Sequence, residues 1–147
     1  MAPWNLPPKA KVYEAFLALA DGRVKVGELE ATVASSGGDK VYKVKWSEDQ
    51  TAFASNDNAS VWQGYAGYPI VAVLLALGKF RDKPAAIAQL AGINWSELNK
   101  RFKRDYDAAV EHVLKDLHES DRLAIVGEAE AVYAQLATMQ LEKLRKR

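Results

Sequence analysis

The chain has 147 residues, 20 Lys and Arg against 19 Asp and Glu for a net charge of +1, 49% hydrophobic residues, and no cysteine. That length is enough for one domain with its own core, without disulfides or a structural metal. Near-neutral charge argues against a protein that meets nucleic acid with its whole surface, leaving room for a local basic patch, and the lack of cysteine excludes disulfides, thiolate catalysis and cysteine-ligated zinc.

In chain order, Pro7 and Pro8 open a helix expected from Lys9 to about Ala20, with Val12, Phe16 and Leu19 on one face and Gly22 as a left-handed stop. From Glu28 to Ser35 the period changes to two, Leu29, Ala31 and Val33 alternating with Glu30, Thr32 and Ala34, the pattern of a half-buried strand. Ser36, Gly37, Gly38 and Asp39 make a turn into a second strand, Lys40 to Trp46, and Asp49 and Gln50 turn the chain into a short third strand, Thr51 to Ser55. The loop from Asn56 to Gly67 has no period. Pro69 then starts a helix that Gly78 ends; Ile70, Val71, Val73, Leu74, Leu75 and Leu77 leave it no polar face, which places it at the centre of the core.

The second half reads as helical throughout. Asp82 and Pro84 begin a short helix to about Ala91, Gly92 ends it, and Asn94 with Glu97 forms a capping pair for the next. From Trp95 the apolar positions Leu98, Phe102, Tyr106, Ala109, Val113 and Leu117 recur at three- and four-residue spacing, the stripe of one long helix. A last helix starts near Ser120 or Asp121, carries Ile125, Ala129, Val132, Leu136 and Met139 on one face, and ends in the basic run Lys143 to Arg147. The two long helices are expected to form an antiparallel pair. The expected fold is α+β, one domain over residues 1–147, with a small antiparallel three-stranded sheet, a buried helix and a helical carboxyl half. The longest apolar run, Tyr68 to Leu77, is too short to cross a bilayer, and Pro3, Pro7 and Pro8 stand where a signal peptide has its basic region and apolar core. A cytoplasmic protein without a membrane partner is therefore expected.

The strand pair ending in YKVKW, the short third strand, the Asp-containing loop and the helix YPIVAVLLALGK together resemble the SWIM zinc-binding domain. The resemblance spans about Gly22 to Lys79, within residues 9–80, and implies a module that binds DNA or proteins. In that family a Cys-x-Cys pair leaves a strand and a Cys-x-His pair opens the helix, four side chains holding one zinc ion. Here the first pair falls at Phe53 and Ser55 and the second at Gly67 and Pro69, with Asp57 matching an acidic residue common just after the first pair. None of the four binds zinc, so the resemblance is to a degenerate member that has lost its ion, and packing by Phe53, Trp62, Tyr65 and Tyr68 is expected in its place. No cofactor is expected. The same order of elements also fits an ordinary α+β hairpin and helix.

The segment PAAIAQLAGINWSELNKRF reads like a helix-turn-helix, with Ala88 allowing close helix approach and Gly92 turning the chain. Its second helix would present Asn94, Ser96, Asn99, Lys100 and Lys103 to base edges and phosphates, supported by Lys79, Arg81, Lys83, Arg101 and Arg104. Arg101 and Trp95 depart from the motif, and Lys100 to Arg104 fits equally the solvated face of an amphipathic helix. Trp62, Tyr65 and Tyr68 suit base stacking where exposed and core packing where not. Asp57, flanked by Asn56 and Asn58, reads as a residue that satisfies backbone groups through Asx turns. His112 and His118, six apart on one helix, face different ways and cannot share a metal. With no Ser-His-Asp grouping, phosphate loop or dinucleotide fingerprint, a non-enzymatic nucleic-acid-binding or regulatory module is expected, its partner DNA or RNA. The alternative is a protein-interaction module that pairs with a second copy or another protein through its carboxyl-terminal helices.

Overall fold

The computed structural model describes residues 3–81 and 84–144. Among them the order is α1 (Ala10–Ala20), β1 (Val24–Val26), β2 (Glu30–Ala34), β3 (Val41–Trp46), β4 (Ala52–Ser55), α2 (Tyr68–Ala76), α3 (Trp95–Arg101), α4 (Tyr106–Lys115), α5 (Glu119–Thr138) and β5 (Glu142–Lys143). A π-helical turn, Ala59–Gln63, precedes α2, and a 3₁₀ helix, Ala86–Leu90, precedes α3.

The fold is α+β, but the sheet has five strands in the order β1-β2-β3-β4-β5 and is mixed rather than three-stranded and antiparallel. The β2–β3 hairpin forms as its alternation requires, with Ala31 opposite Val44 on the buried face. Two strands were not expected. β1 pairs antiparallel with β2 immediately after the left-handed Gly22, and β5 comes back from the end of the chain to lie parallel to β4. Glu142 N–H donates to Thr51 O and Leu144 N–H to Phe53 O, so residues expected to continue the last helix instead close the sheet edge. Arg145 to Arg147 lie outside the described residues.

α2 lies between the sheet and α1, with every residue from Pro69 to Leu75 buried. Each fully buried Val, Ile or Leu stabilises by roughly 1.5–3 kcal/mol, so this helix is the main apolar anchor. α1 is buried more completely than a one-faced amphipathic helix would be: Ala10 to Ala18 are all inside, Lys11 and Glu14 included. The 3₁₀ helix, α4 and α5 cover its far side.

The expected long helix from Trp95 to Leu117 is two helices. Lys103 and Arg104 take left-handed conformations, φ 51° and 68°, and Arg104 N–H returns to Asn99 O, which closes α3. Asp105 accepts from Ala108 N–H and caps α4. The apolar stripe runs across this break because Phe102 and Tyr106 both pack on the core from opposite sides of a turn. α4 and α5 do not form the expected pair; each packs on α1, and contact between the two is slight. The short helix expected before Gly92 is 3₁₀ rather than α, so the first member of the helix-turn-helix is missing in its usual form; Asp82 lies outside the described residues.

Candidate functional site

Three polar features meet around α3. The first is the junction of sheet and α2. Asp57 is buried and accepts from Ser60 N–H at 3.1 Å, Ser60 Oγ at 2.7 Å and the Ser55 hydroxyl, and Ser60 Oγ in turn accepts from Gly67 N–H at 3.1 Å. A Cβ on Gly67 would lie 2.0 Å from Asp57 Oδ2. Ser55 and Gly67 are two of the four positions the SWIM resemblance assigns to zinc, and a carboxylate with its hydrogen bonds fills the space between them. These residues do not fit a zinc site. Nor do the expected aromatics all replace it: Phe53 is buried, but Trp62 is 79% exposed. Asp57 works as its neighbours suggested, satisfying backbone and hydroxyl groups.

The second feature is a cavity of about 220 Å³ behind that junction, lined from seven stretches of the chain. α1 supplies Lys11 and Glu14, whose Nζ and Oε1 are 3.0 Å apart and both buried. Lys11 also sits 4.7 Å from the centre of the Tyr106 ring. Burial lifts Glu14 above the ordinary carboxylate range against the opposing charge and hydrogen bond of Lys11. Burial pulls the Lys11 ammonium down, yet the charge and hydrogen bond of Glu14, with smaller help from Tyr106 and Tyr65, outweigh it and leave its pKa raised. Arg23, held by Asp21 and by Ala34 O at 2.7 Å, closes one end. Tyr42 and Tyr68 meet edge to face at 6.1 Å, and burial raises the pKa of both hydroxyls. α3 closes the other side with Trp95, Ser96 and Asn99. The Trp95 indole N–H lies on the Glu14 side and slightly stabilises that carboxylate, but closes no hydrogen bond of ordinary geometry.

The third is a cationic turn. Lys100, Lys103 and Arg104 line one open concavity of about 400 Å³ together with Asn99, which thus belongs to both cavity and turn. Among the described residues no carboxylate lies within ion-pair distance of these three cations, and Asp39 on the hairpin tip feels Lys100 only weakly.

The remaining predicted site residues go elsewhere. Asn94 caps α3 through Glu97 N–H and, with Ser96, is docked on the hairpin: Ser36 Oγ lies 2.9 Å from Ser96 Oγ and accepts from Ser96 N–H at 2.8 Å. With Trp95 buried, the start of α3 faces the protein rather than solvent. Arg101 turns to the opposite side, against the Phe102 ring and a cleft shared with His112 and Asp116. Arg81 is tied to α5, its N–H donating to Gln135, and Lys79 is exposed just beyond α2. Lys83 lies outside the described residues. Sequence reasoning missed Lys11 and Glu14, though a signal existed: they are the only charged residues in an otherwise apolar helix, three apart on one face.

Among the described residues no helix is long and apolar enough to cross a membrane, and no group of three or more His, Cys, Asp or Glu is placed to hold a metal ion. The family model described as uncharacterised conserved protein UCP014422 matches residues 4–142. No curated protein and no solved structure matches the chain.

Proposed function

We propose that this chain, which belongs to the family of uncharacterised conserved protein UCP014422, is a non-enzymatic nucleic-acid-binding or regulatory module that holds phosphates on Lys100, Lys103 and Arg104. The observation that carries this reading is the convergence of those three cations, without an ion-pair partner among the described residues, and Asn99 on one concavity in a chain of net charge +1. Phosphate oxygens are what such a concentration of unneutralised positive charge recognises. Because Asn94 and Ser96 are occupied by the hairpin, contact is to the backbone of the nucleic acid rather than through α3 inserted in a major groove. Exposed Trp62 favours a single strand, since its ring is free to stack on a base; the turn that bears it begins beside Asn58 and Ala59, which line the same cavity as Asn99. The likeness to a SWIM domain without zinc belongs to this reading, with DNA as the partner, RNA being distinguished by the same assay.

The test is affinity for single-stranded and duplex DNA and for RNA, in the full chain and in the variant Lys100→Ala, Lys103→Gly, Arg104→Gly. Glycine relieves the left-handed strain at 103 and 104, so this variant is expected to be at least as stable as the parent, by about 1 kcal/mol for each glycine. It is expected to lose most of its affinity, and Trp62→Ala to lose about 1–3 kcal/mol on single strands only. Unchanged affinity in the triple variant overturns the reading.

A second reading, pairing of two copies through the carboxyl-terminal helices, is favoured by α5. There Leu123 is 61% exposed beside a groove floored by Ala124, Gly127 and Ala131, small residues that let another helix approach closely. Light scattering is expected to give a two-chain mass on this reading, reduced to one chain by Leu123→Asp. A one-chain mass for the parent removes it.

A further inference from the structure

Trp95 and Asn99 both line the 220 Å³ cavity, and among the described residues the buried indole N–H of the one, on the Glu14 side, and the buried amide oxygen of the other close no hydrogen bond of ordinary geometry. Trp95 is 3% exposed, so its donor is out of reach of bulk solvent. A buried donor or acceptor left unpaired costs about 1–3 kcal/mol, and here one of each stands four residues apart on the same face of α3. Such a pair is complementary to a ligand that offers an acceptor beside a donor.

The other walls narrow the class. The volume is about that of seven waters at roughly 30 Å³ each, below the range of about 300–1,000 Å³ usual for whole cofactors, and close to a single heterocycle. Tyr42, Tyr68 and Trp95 give it aromatic walls, as in pockets that receive a base taken out of its stack. An asparagine amide matches the ring nitrogen and exocyclic amine of adenine two bonds at a time. Asn99 also lines the concavity of Lys100, Lys103 and Arg104, so a group anchored in the cavity has cations at its mouth.

We propose that the cavity receives the amino-bearing base of a nucleotide, with Asn99 and Trp95 reading its edge and Lys100, Lys103 and Arg104 holding its phosphate. This rests on the phosphate-directed reading above and adds that one base is taken inside. The same chemistry is offered by a free mononucleotide and by a base everted from a strand. Lys11 and Glu14 form the charged back wall, and Glu14 keeps one carboxylate oxygen free of the Lys11 bond for the ligand's donors.

The test uses the full chain with AMP, with UMP, and with oligo(dA) and oligo(dT) of equal length, in the parent, in Trp95→Phe and in Asn99→Ala. Trp95→Phe removes the N–H and keeps a buried ring; should it fail to fold, Asn99→Ala at the half-buried rim carries the test. A preference for AMP over UMP that falls about tenfold in either variant supports the free nucleotide. A preference for oligo(dA) over oligo(dT), lost in the variants while AMP is ignored, supports the everted base. Strands bound equally well by parent and both variants, without preference, overturn the cavity site and leave the surface reading intact. AMP bound in the cavity while no strand binds overturns the surface reading alone, and binding of neither overturns both.

Discussion

Replacing Gly67 by Ala is expected to destabilise the fold by about 3–5 kcal/mol, a very large effect for the addition of one methyl group. The backbone does not object, since Gly67 has φ −69° and ψ 171°, a conformation open to any residue. The obstacle is the Asp57 carboxylate 2.0 Å from the new Cβ. That carboxylate cannot retreat without dropping Ser55, the Ser60 amide and the Ser60 hydroxyl, which in turn receives Gly67 N–H. Asp57→Ala alone is expected to cost about 2–4 kcal/mol through the donors it strands. In that background Gly67→Ala should add little, giving a coupling close to the whole Gly67→Ala loss in a double-mutant cycle read by urea unfolding. Additive losses would mean that the junction is held by something other than this contact.

Lys11→Met is expected to cost about 3–5 kcal/mol at neutral pH, because it strips the buried Glu14 carboxyl of its counter-charge and its hydrogen bond. The pH dependence follows from the direction of the Glu14 shift. Its pKa in the fold lies above the unfolded value, so its favourable contribution is fully present below the ordinary carboxylate range and is lost as pH rises through the raised value. The deficit of Lys11→Met should therefore shrink as pH is lowered through that window. The double variant Lys11→Met, Glu14→Leu is expected to be as stable as the parent or more so, by up to about 4 kcal/mol, since two desolvated charges rarely repay their burial. Thermal unfolding across pH checks both. A stable double variant would place the value of the pair in the cavity it walls rather than in the fold.

How far the sequence could be read depended on whether a signal was local. The apolar run of α2, the Ala31 and Val33 alternation opposite Val44 and Tyr42, the Asn94 cap and the left-handed Gly22 are each decided within a few residues, and each is found where expected. β1 is three residues long and β5 two, too short to show a period, and β5 owes its existence to β4 from ninety residues earlier. The break at Lys103 and Arg104 carries no Gly or Pro; it is set by Asp105 capping α4 and by Phe102 and Tyr106 both seeking the core. The cationic turn was legible as composition, but its division was not, because whether Arg101 sides with Lys100 or with Phe102 depends on how α4 folds back. The cavity was not legible, since its wall is assembled from residues between positions 11 and 99 that no spacing connects.

The binding of a labelled single strand as a function of salt tests the role of the cationic turn most directly. Three phosphates neutralised by Lys100, Lys103 and Arg104 give an expected slope of log K against log salt of about −2, at about 0.7 per contact, falling toward zero when all three cations are removed. A slope near zero in the parent, or the same slope with and without those residues, would contradict it.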